Sequence, residues 1–235
     1  MQTYKVLENK HIGENAFVLG AGTSLYGLDL RYIHDYVVLS VNSSILLMPW
    51  DVGSNDKRYW ISNDSLVRRW SYWERVKQAH AVKLVRNSWE KYYDEIPDFL
   101  YFWRRHTPEN LIDPDDDGLC YCSSVPTSID LAIYMGCKNI FILGVDQYSK
   151  SGKRYFWQLD DKIENPFMIF KNKISEKGWL PNLRQQQWTY GYDKQAYEAL
   201  EKYSKIKDVK IYNCNMMSRV NAFEKIKFDM VKDII

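Results

Sequence analysis

Apolar positions along the chain gather into short runs bounded by small and polar residues, and these runs predict the first elements. Ala16-Phe17-Val18-Leu19, Tyr36-Val37-Val38-Leu39-Ser40-Val41 and Arg58-Tyr59-Trp60-Ile61-Ser62 read as strands. Ala79 to Arg86 holds a fourth strand, and Phe99-Leu100-Tyr101-Phe102 a short fifth. Asn139-Ile140-Phe141-Ile142-Leu143-Gly144 is almost unbroken in its apolarity, which suits the middle of a parallel sheet. Helical spacing appears between the strands. Ser65 to Gln78 reads as one helix, and Val125, Ile129, Ala132, Ile133 and Gly136 mark a second with a small, apolar face. A third runs from Lys194 to about Lys207, with Ala196, Ala199, Leu200, Tyr203 and Ile206 on one side and Asp193 as its cap. The strand Val209-Lys210-Ile211-Tyr212-Asn213 follows it. Strands alternating with helices predict an α/β fold, a Rossmann-like, mostly parallel sheet flanked by helices.

The ends of the predicted strands carry the candidate chemistry. The first strand runs straight into Gly20-Ala21-Gly22-Thr23-Ser24-Leu25. Two glycines permit unusual backbone angles and close approach of a ligand. Thr23 and Ser24 are suited to cap a following helix, whose free N–H groups would face a phosphate. A full dinucleotide fingerprint needs a third glycine where Leu25 stands, which disfavours NAD. The second strand ends at Asn42-Ser43-Ser44 and the third at Asn63-Asp64. Open α/β sheets bind ligands at such tips, although helix capping explains Ser43, Asn63 and Asp64 equally well. The central strand ends in Val145-Asp146-Gln147-Tyr148, where Asp146 would contact a ribose or a metal, or else cap its own loop.

Composition adjusts this picture in three places. The 235 residues suffice for one domain, and a net charge of +2 gives no reason to expect nucleic acid or a membrane surface. Aromatics are abundant, with 18 Tyr, 9 Trp and 9 Phe, which serves either a stacking surface or a packed core. Residues 149–192 hold eight Lys or Arg against four Asp or Glu, together with Trp157, Trp179 and Trp188. A basic, aromatic insertion after a binding strand reads as a lid over an anionic ligand, or as an interface segment. The predicted organisation is a single domain over 1–235, with the core at 16–148 and 193–214 and the lid at 149–192. Cys120 and Cys122 form a C-x-C pair without a second pair, so buried free thiols are expected at all four cysteines, Cys137 and Cys214 included. Asp113 to Gly118 reads as a turn whose carboxylates match no calcium loop. No stretch approaches the roughly 18 apolar residues of a membrane span, and no apolar signal core is visible, so the expectation is a cytoplasmic protein. A homo-oligomer is left open.

Taken in order, the segments GAGTSL, VNSS, SND, SSVPTSIDLAIYMGCKNIFILGVDQY and ALEKYSKIKDVKIYNC resemble those of the small bacterial sialyltransferases that use CMP-sialic acid. They are also similar to archaeal pterin pyrophosphokinase-like proteins and to phage-encoded glycosyltransferase-like proteins. The sialyltransferase resemblance implies that Gly20, Ala21 and Gly22, with Thr23 and Ser24, form the nucleotide-phosphate turn. It implies that Asn42 and Asn63, beside Asp64, contact nucleotide or donor sugar, and that Ser124 touches the donor. Tyr148 and Tyr155 match two tyrosines that help the phosphate leave, where a phenol donates to developing negative charge. The chain departs from that pattern at three positions. Ala21 replaces an asparagine, Tyr121 an arginine, and Trp188 the histidine that serves as general base. An inverting transfer still needs a group to take the acceptor's proton, and Asp146, Asp193 and His106 are the candidates.

The expectation is therefore a glycosyltransferase that carries a sugar from a nucleotide-activated donor to a hydroxyl of a glycan or a modified nucleic acid, with Tyr148, Tyr155 and Asp146 as its catalytic residues. The nucleotide sugar is a co-substrate. No metal-ligand set is assigned, and a divalent ion is left open. One alternative is an ATP- and Mg²⁺-dependent pyrophosphokinase of a small heterocycle, using Asp64, Asp146 or the Asp115–Asp117 run. The other is a non-catalytic nucleotide-binding phage module.

Overall fold

The computed structural model describes residues 3–48, 55–89, 99–103, 118–120, 123–148, 151–163 and 183–235, with backbone alone for 55, 66, 69 and 183–192. Among them the apolar runs form β1 (Asn15–Leu19), β2 (Val37–Val41), β3 (Arg58–Ser62), β4 (Val82–Arg86), β5 (Phe99–Phe102), β6 (Asn139–Leu143), β7 (Lys210–Asn213) and β8 (Glu224–Lys225). They make one sheet in the order β5-β4-β3-β2-β1-β6-β7-β8, and each neighbouring pair is parallel. This is the expected α/β, Rossmann-like architecture. The chain winds outward from β1 to β5, then returns to the other side of β1 as β6. Leu19 pairs with Leu143, so the tips of β1 and β6 lie level where the winding reverses. Ligand crevices of open parallel sheets lie at that reversal, outside the strand ends.

Two cores cover the two faces of the sheet, as the alternation of side chains in a strand requires. Ala16 and Val18 of β1 join the core beneath α2 (Ser124–Tyr134) and α3 (Leu183–Ile206), with Ile129, Ala132, Ala196 and Leu200. Phe17 and Leu19 join the other core, which is mostly aromatic. There Phe17, Phe141 and Tyr212 stack across β1, β6 and β7, with ring centres 5.1 and 5.4 Å apart. Trp60, Trp73, Trp89 and Phe99 cluster in the same layer. Much of the aromatic load is thus core packing. Cys120, Cys137 and Cys214 are free thiols, as expected, and Cys120 and Cys137 are buried.

Three expected elements differ. The helix expected over Ser65 to Gln78 is broken into a 3-10 segment, Ser65–Arg69, and a short helix α1 (Trp73–Gln78). Trp70 bonds back to Val67 and Trp73 to Trp70, three residues each, so the tighter turn aims Val67, Trp70 and Trp73 into one core. Helix α3 begins at Leu183, not Lys194, so Asp193 lies inside it and caps nothing. The added turns contain Leu, Arg and Gln, good helix formers that leave no apolar stripe to read. Third, the helix expected after Gly22 is only a 3-10 turn, Thr23–Leu25. The Asp115–Asp117 run, Tyr121, Cys122 and His106 lie outside the described residues, as does the side chain of Trp188. Among the described residues no helix is long and apolar enough to cross a membrane.

Candidate functional site

The loops after β1 and β6 lock together before any ligand is considered. The Gly20 N–H donates to Leu143 O at 2.8 Å and the Gly22 N–H to Gly144 O at 2.7 Å. A Cβ on Gly20 would collide with Gly144 O, and one on Gly22 would lie 2.6 Å from the Asp146 carboxylate. Neither glycine has a positive φ, whereas Gly144 opposite them has φ +67°. The glycines at 20 and 22 are therefore required for the close approach of two loops, not for unusual backbone angles.

Asp146 fills the space that this approach creates. It is 3% exposed. Thr23 Oγ1 donates to its Oδ2 at 3.0 Å and the Ser24 N–H at 2.9 Å, while the Ser24 hydroxyl and Asn215 Nδ2 donate to Oδ1. The donors expected to face a phosphate from a helix N-terminus here hold an internal carboxylate. Next to them Tyr155 forms an antiparallel bridge with Gly22, and the Phe156 N–H donates to Ala21 O at 3.1 Å. The Tyr155 ring stacks on Trp157, 5.2 Å away at 11°. Burial raises the Tyr155 phenol above its ordinary range, against a smaller lowering by Arg154. The first part of the expected lid is therefore docked: Phe156 and Trp157 are 1% and 6% exposed.

A second group of side chains gathers where β3 meets the first turn of α2. The Asn63 N–H donates to Ser124 Oγ at 2.9 Å, and Asn63 Nδ2 to Thr127 Oγ1 at 3.0 Å. Asp64 is exposed beside it. Asn42, at the tip of β2, has φ +51°, and its Oδ1 is buried without a partner among the described residues. Gln147 ties this group to β6. With φ +55°, it donates through Nε2 to Asp193 Oδ2 at 3.2 Å, and the Ser123 hydroxyl donates to the same oxygen at 3.0 Å. Tyr148 follows Gln147 and is half-buried.

Two residues extend the set. Tyr72 precedes α1, 2% exposed, with a buried hydroxyl that has no partner among the described residues. Burial pushes its phenol well above the ordinary range, and nearby Asp64 and Tyr155 add to the rise. Its only sequence signal was an aromatic shortly after a strand tip. Asp193 is 1% exposed, and burial lifts its carboxyl to about 6 against the lowering by Ser123 and Gln147. Lys194 and Tyr197, on the same helix, help line a cleft of about 500 Å³ together with Arg219 and Asn221.

No protein-family model matches the chain. No curated protein matches it in sequence. Solved structures do match in fold. The sialyltransferase CstII from Campylobacter jejuni, in complex with cytidine-5'-monophosphate, is 17% identical with a TM-score of 0.51, over 92% of this chain and 85% of that one. The monofunctional α-2,3-sialyltransferase Cst-I from the same organism is 18% identical with a TM-score of 0.55, over 90% and 79%. The MAf glycosyltransferase from Magnetospirillum magneticum AMB-1 has a TM-score of 0.56 at 14% identity, and its match covers 99% of this chain but 40% of that one. The chain therefore shares its fold with these solved structures.

Proposed function

We propose that this protein is a glycosyltransferase that moves a sugar from a nucleotide-activated donor to a hydroxyl of a glycan or of a nucleobase-linked group. The observation that carries the reading is the pairing of Tyr155 with Gly22 at the reversal between β1 and β6. That backbone pairing brings residue 155 alongside the turn that, on this reading, takes the nucleotide phosphate. A phenol there donates a hydrogen bond to the phosphate as it departs, and stabilisation of developing charge is typically a large catalytic contribution. Tyr148, at the tip of β6, is the second donor to that phosphate. Asn42 and Asn63 offer amides at neighbouring tips for base, ribose or sugar, and Ser124 holds Asn63 in place. Gly20, Ala21, Gly22, Thr23 and Ser24 frame the phosphate side. Asp146 acts on them as a positioning residue, since its oxygens accept from Thr23 and Ser24. Asp64 is left to contact the donor's polar edge.

The resemblance in fold to CstII, solved with CMP, supports a pyrimidine nucleotide as the donor's handle. A thermal-shift panel of CMP, UDP, GDP, ADP and ATP, with their sugar conjugates and with or without Mg²⁺, tests this. Selective binding stabilises the folded state by about 2.7 kcal/mol at a hundredfold excess over Kd. The expected result is a shift with CMP or one nucleoside diphosphate, unchanged by chelation. A shift with ATP and Mg²⁺ alone would instead support the pyrophosphokinase, and no shift at all the non-catalytic module.

A further inference from the structure

Among the described residues at the strand tips, the acceptor hydroxyl's proton needs a recipient other than Asp64, which is exposed to solvent, and Asp146. Asp146 cannot serve while its oxygens accept from Thr23, Ser24 and Asn215. Asp193 is differently placed. Its Oδ2 accepts from Ser123 and Gln147, which fixes the carboxylate against the first turn of α2 and the tip of β6. Its Oδ1 is buried and has no partner among the described residues. Leaving a buried carboxylate oxygen unpaired is costly, so a fold keeps one where something else is to engage it. Its helix neighbours Lys194 and Tyr197 line the polar cleft of about 500 Å³, wide enough for a sugar.

Building on the glycosyltransferase reading, we propose that Asp193 Oδ1 is the general base that accepts the proton of the acceptor hydroxyl. As that O–H oxygen attacks the anomeric carbon, its proton passes to Oδ1 and the bond from the anomeric carbon to the phosphate oxygen breaks. The electron pair leaves with the nucleotide, and Asp193, now a neutral acid, returns its proton to water. Water in place of the acceptor gives hydrolysis of the donor by the same steps. Burial, which holds the Asp193 carboxyl at about 6, makes it a stronger base than an ordinary aspartate while leaving it ionised at neutral pH. Among the described residues, the titratable and charged groups on the elements around it include Asp146 and Tyr148 by β6, Asp130 and Tyr134 on α2, Lys194, Tyr197, Glu198 and Glu201 on α3, and Arg219 after β7.

The test is release of nucleotide from CMP-sialic acid, UDP-glucose and GDP-mannose by the intact chain and by Asp193→Asn, from pH 4.5 to 8.5. In the intact chain kcat with the productive donor should rise through a midpoint near 6 and then flatten. Asp193→Asn should lower it about 100-fold and abolish that limb, while the thermal shift with the matching free nucleotide is retained. Asp193→Ala should regain turnover with added formate, which a purely structural role would not give. Folding supplies an independent readout. Between its ordinary value of 3.8 and about 6 the native Asp193 holds a proton that the unfolded chain has lost, so stability falls as pH rises through that window. Asp193→Asn should therefore melt no lower than the intact chain at pH 8, with its relative advantage smaller at pH 5. Nucleotide release with an unchanged rate and pH limb in Asp193→Asn overturns the role of Asp193 alone. No release from any of the three donors by the intact chain overturns the glycosyltransferase reading and this proposal with it.

Discussion

A methyl group at residue 22 would stand 2.6 Å from the Asp146 carboxylate, and it could be accommodated only by moving the side chain that holds Thr23 and Ser24. Gly22→Ala should therefore cost about 1–3 kcal/mol in urea unfolding and remove the nucleotide's thermal shift. Gly27 is the comparison. Its φ is +83°, with nothing within 4 Å of an added Cβ. Gly27→Ala should cost about 1 kcal/mol through backbone strain alone and leave the nucleotide shift intact. Equal loss of that shift in both variants would separate Asp146 from ligand binding. The Gly-x-Gly turn was legible in the sequence, but its reason was not. A pattern of small residues shows that something must come close; it cannot show that an aspartate more than 120 positions later does so. Tyr72 was hidden for the same cause, and Asp193, one of three candidate bases, could not be singled out, since an environment made by several packed elements leaves no local trace.

At the scale of elements, strands were legible because a strand buried on both faces must be apolar throughout, and every expected strand formed within a few residues of its place. Helices were legible only where an apolar stripe marked them, as in α2. The start of α3 has no such stripe in its sequence, and the 3-10 segment before α1 obeys tertiary packing, with Val67, Trp70 and Trp73 three residues apart in one core. The segment 151–163 shows what that packing does for the site. Its backbone bridge to Gly22, the Phe156 N–H bond to Ala21 O and the Tyr155–Trp157 stack all survive removal of one hydroxyl. Tyr155→Phe should then melt within about 2 °C of the parent, which corresponds to less than about 1 kcal/mol for a chain of this size. Donor cleavage should fall about 100-fold, the typical loss for one donor to a developing anion. Cleavage at the parental rate would remove Tyr155 from the leaving-group site, while a large drop in melting temperature would show that the hydroxyl serves the fold.

Across the whole molecule, the parallel sheet separates a ligand-facing edge from a stabilising one. Among the described residues, the candidate groups lie at the C-terminal ends of strands or in elements packed against them. At the opposite end His11, 3% exposed, shares a hydrogen bond of 2.7 Å between its Nε2 and the Tyr59 hydroxyl, which also lies 3.0 Å from Asp56 O. Glu14 closes the cluster between His11 and Lys57. Its carboxyl lies below the ordinary range although burial acts to raise it, since hydrogen bonds and charges from Lys57 and His11 outweigh that rise. Tyr59→Phe would leave a histidine nitrogen buried without its partner, a loss of about 1–3 kcal/mol. Tyr59 lies four residues before Asn63, about 13 Å along the strand at a rise of about 3.3 Å per residue. Sites so far apart with no shared partner combine additively to within about 0.5 kcal/mol. Tyr59→Phe should accordingly lower the urea midpoint while changing nucleotide Kd by less than about threefold. A larger change in Kd would mean that the two edges are mechanically coupled, and that the sheet transmits strain from its stabilising end to the strand tips where the donor is held.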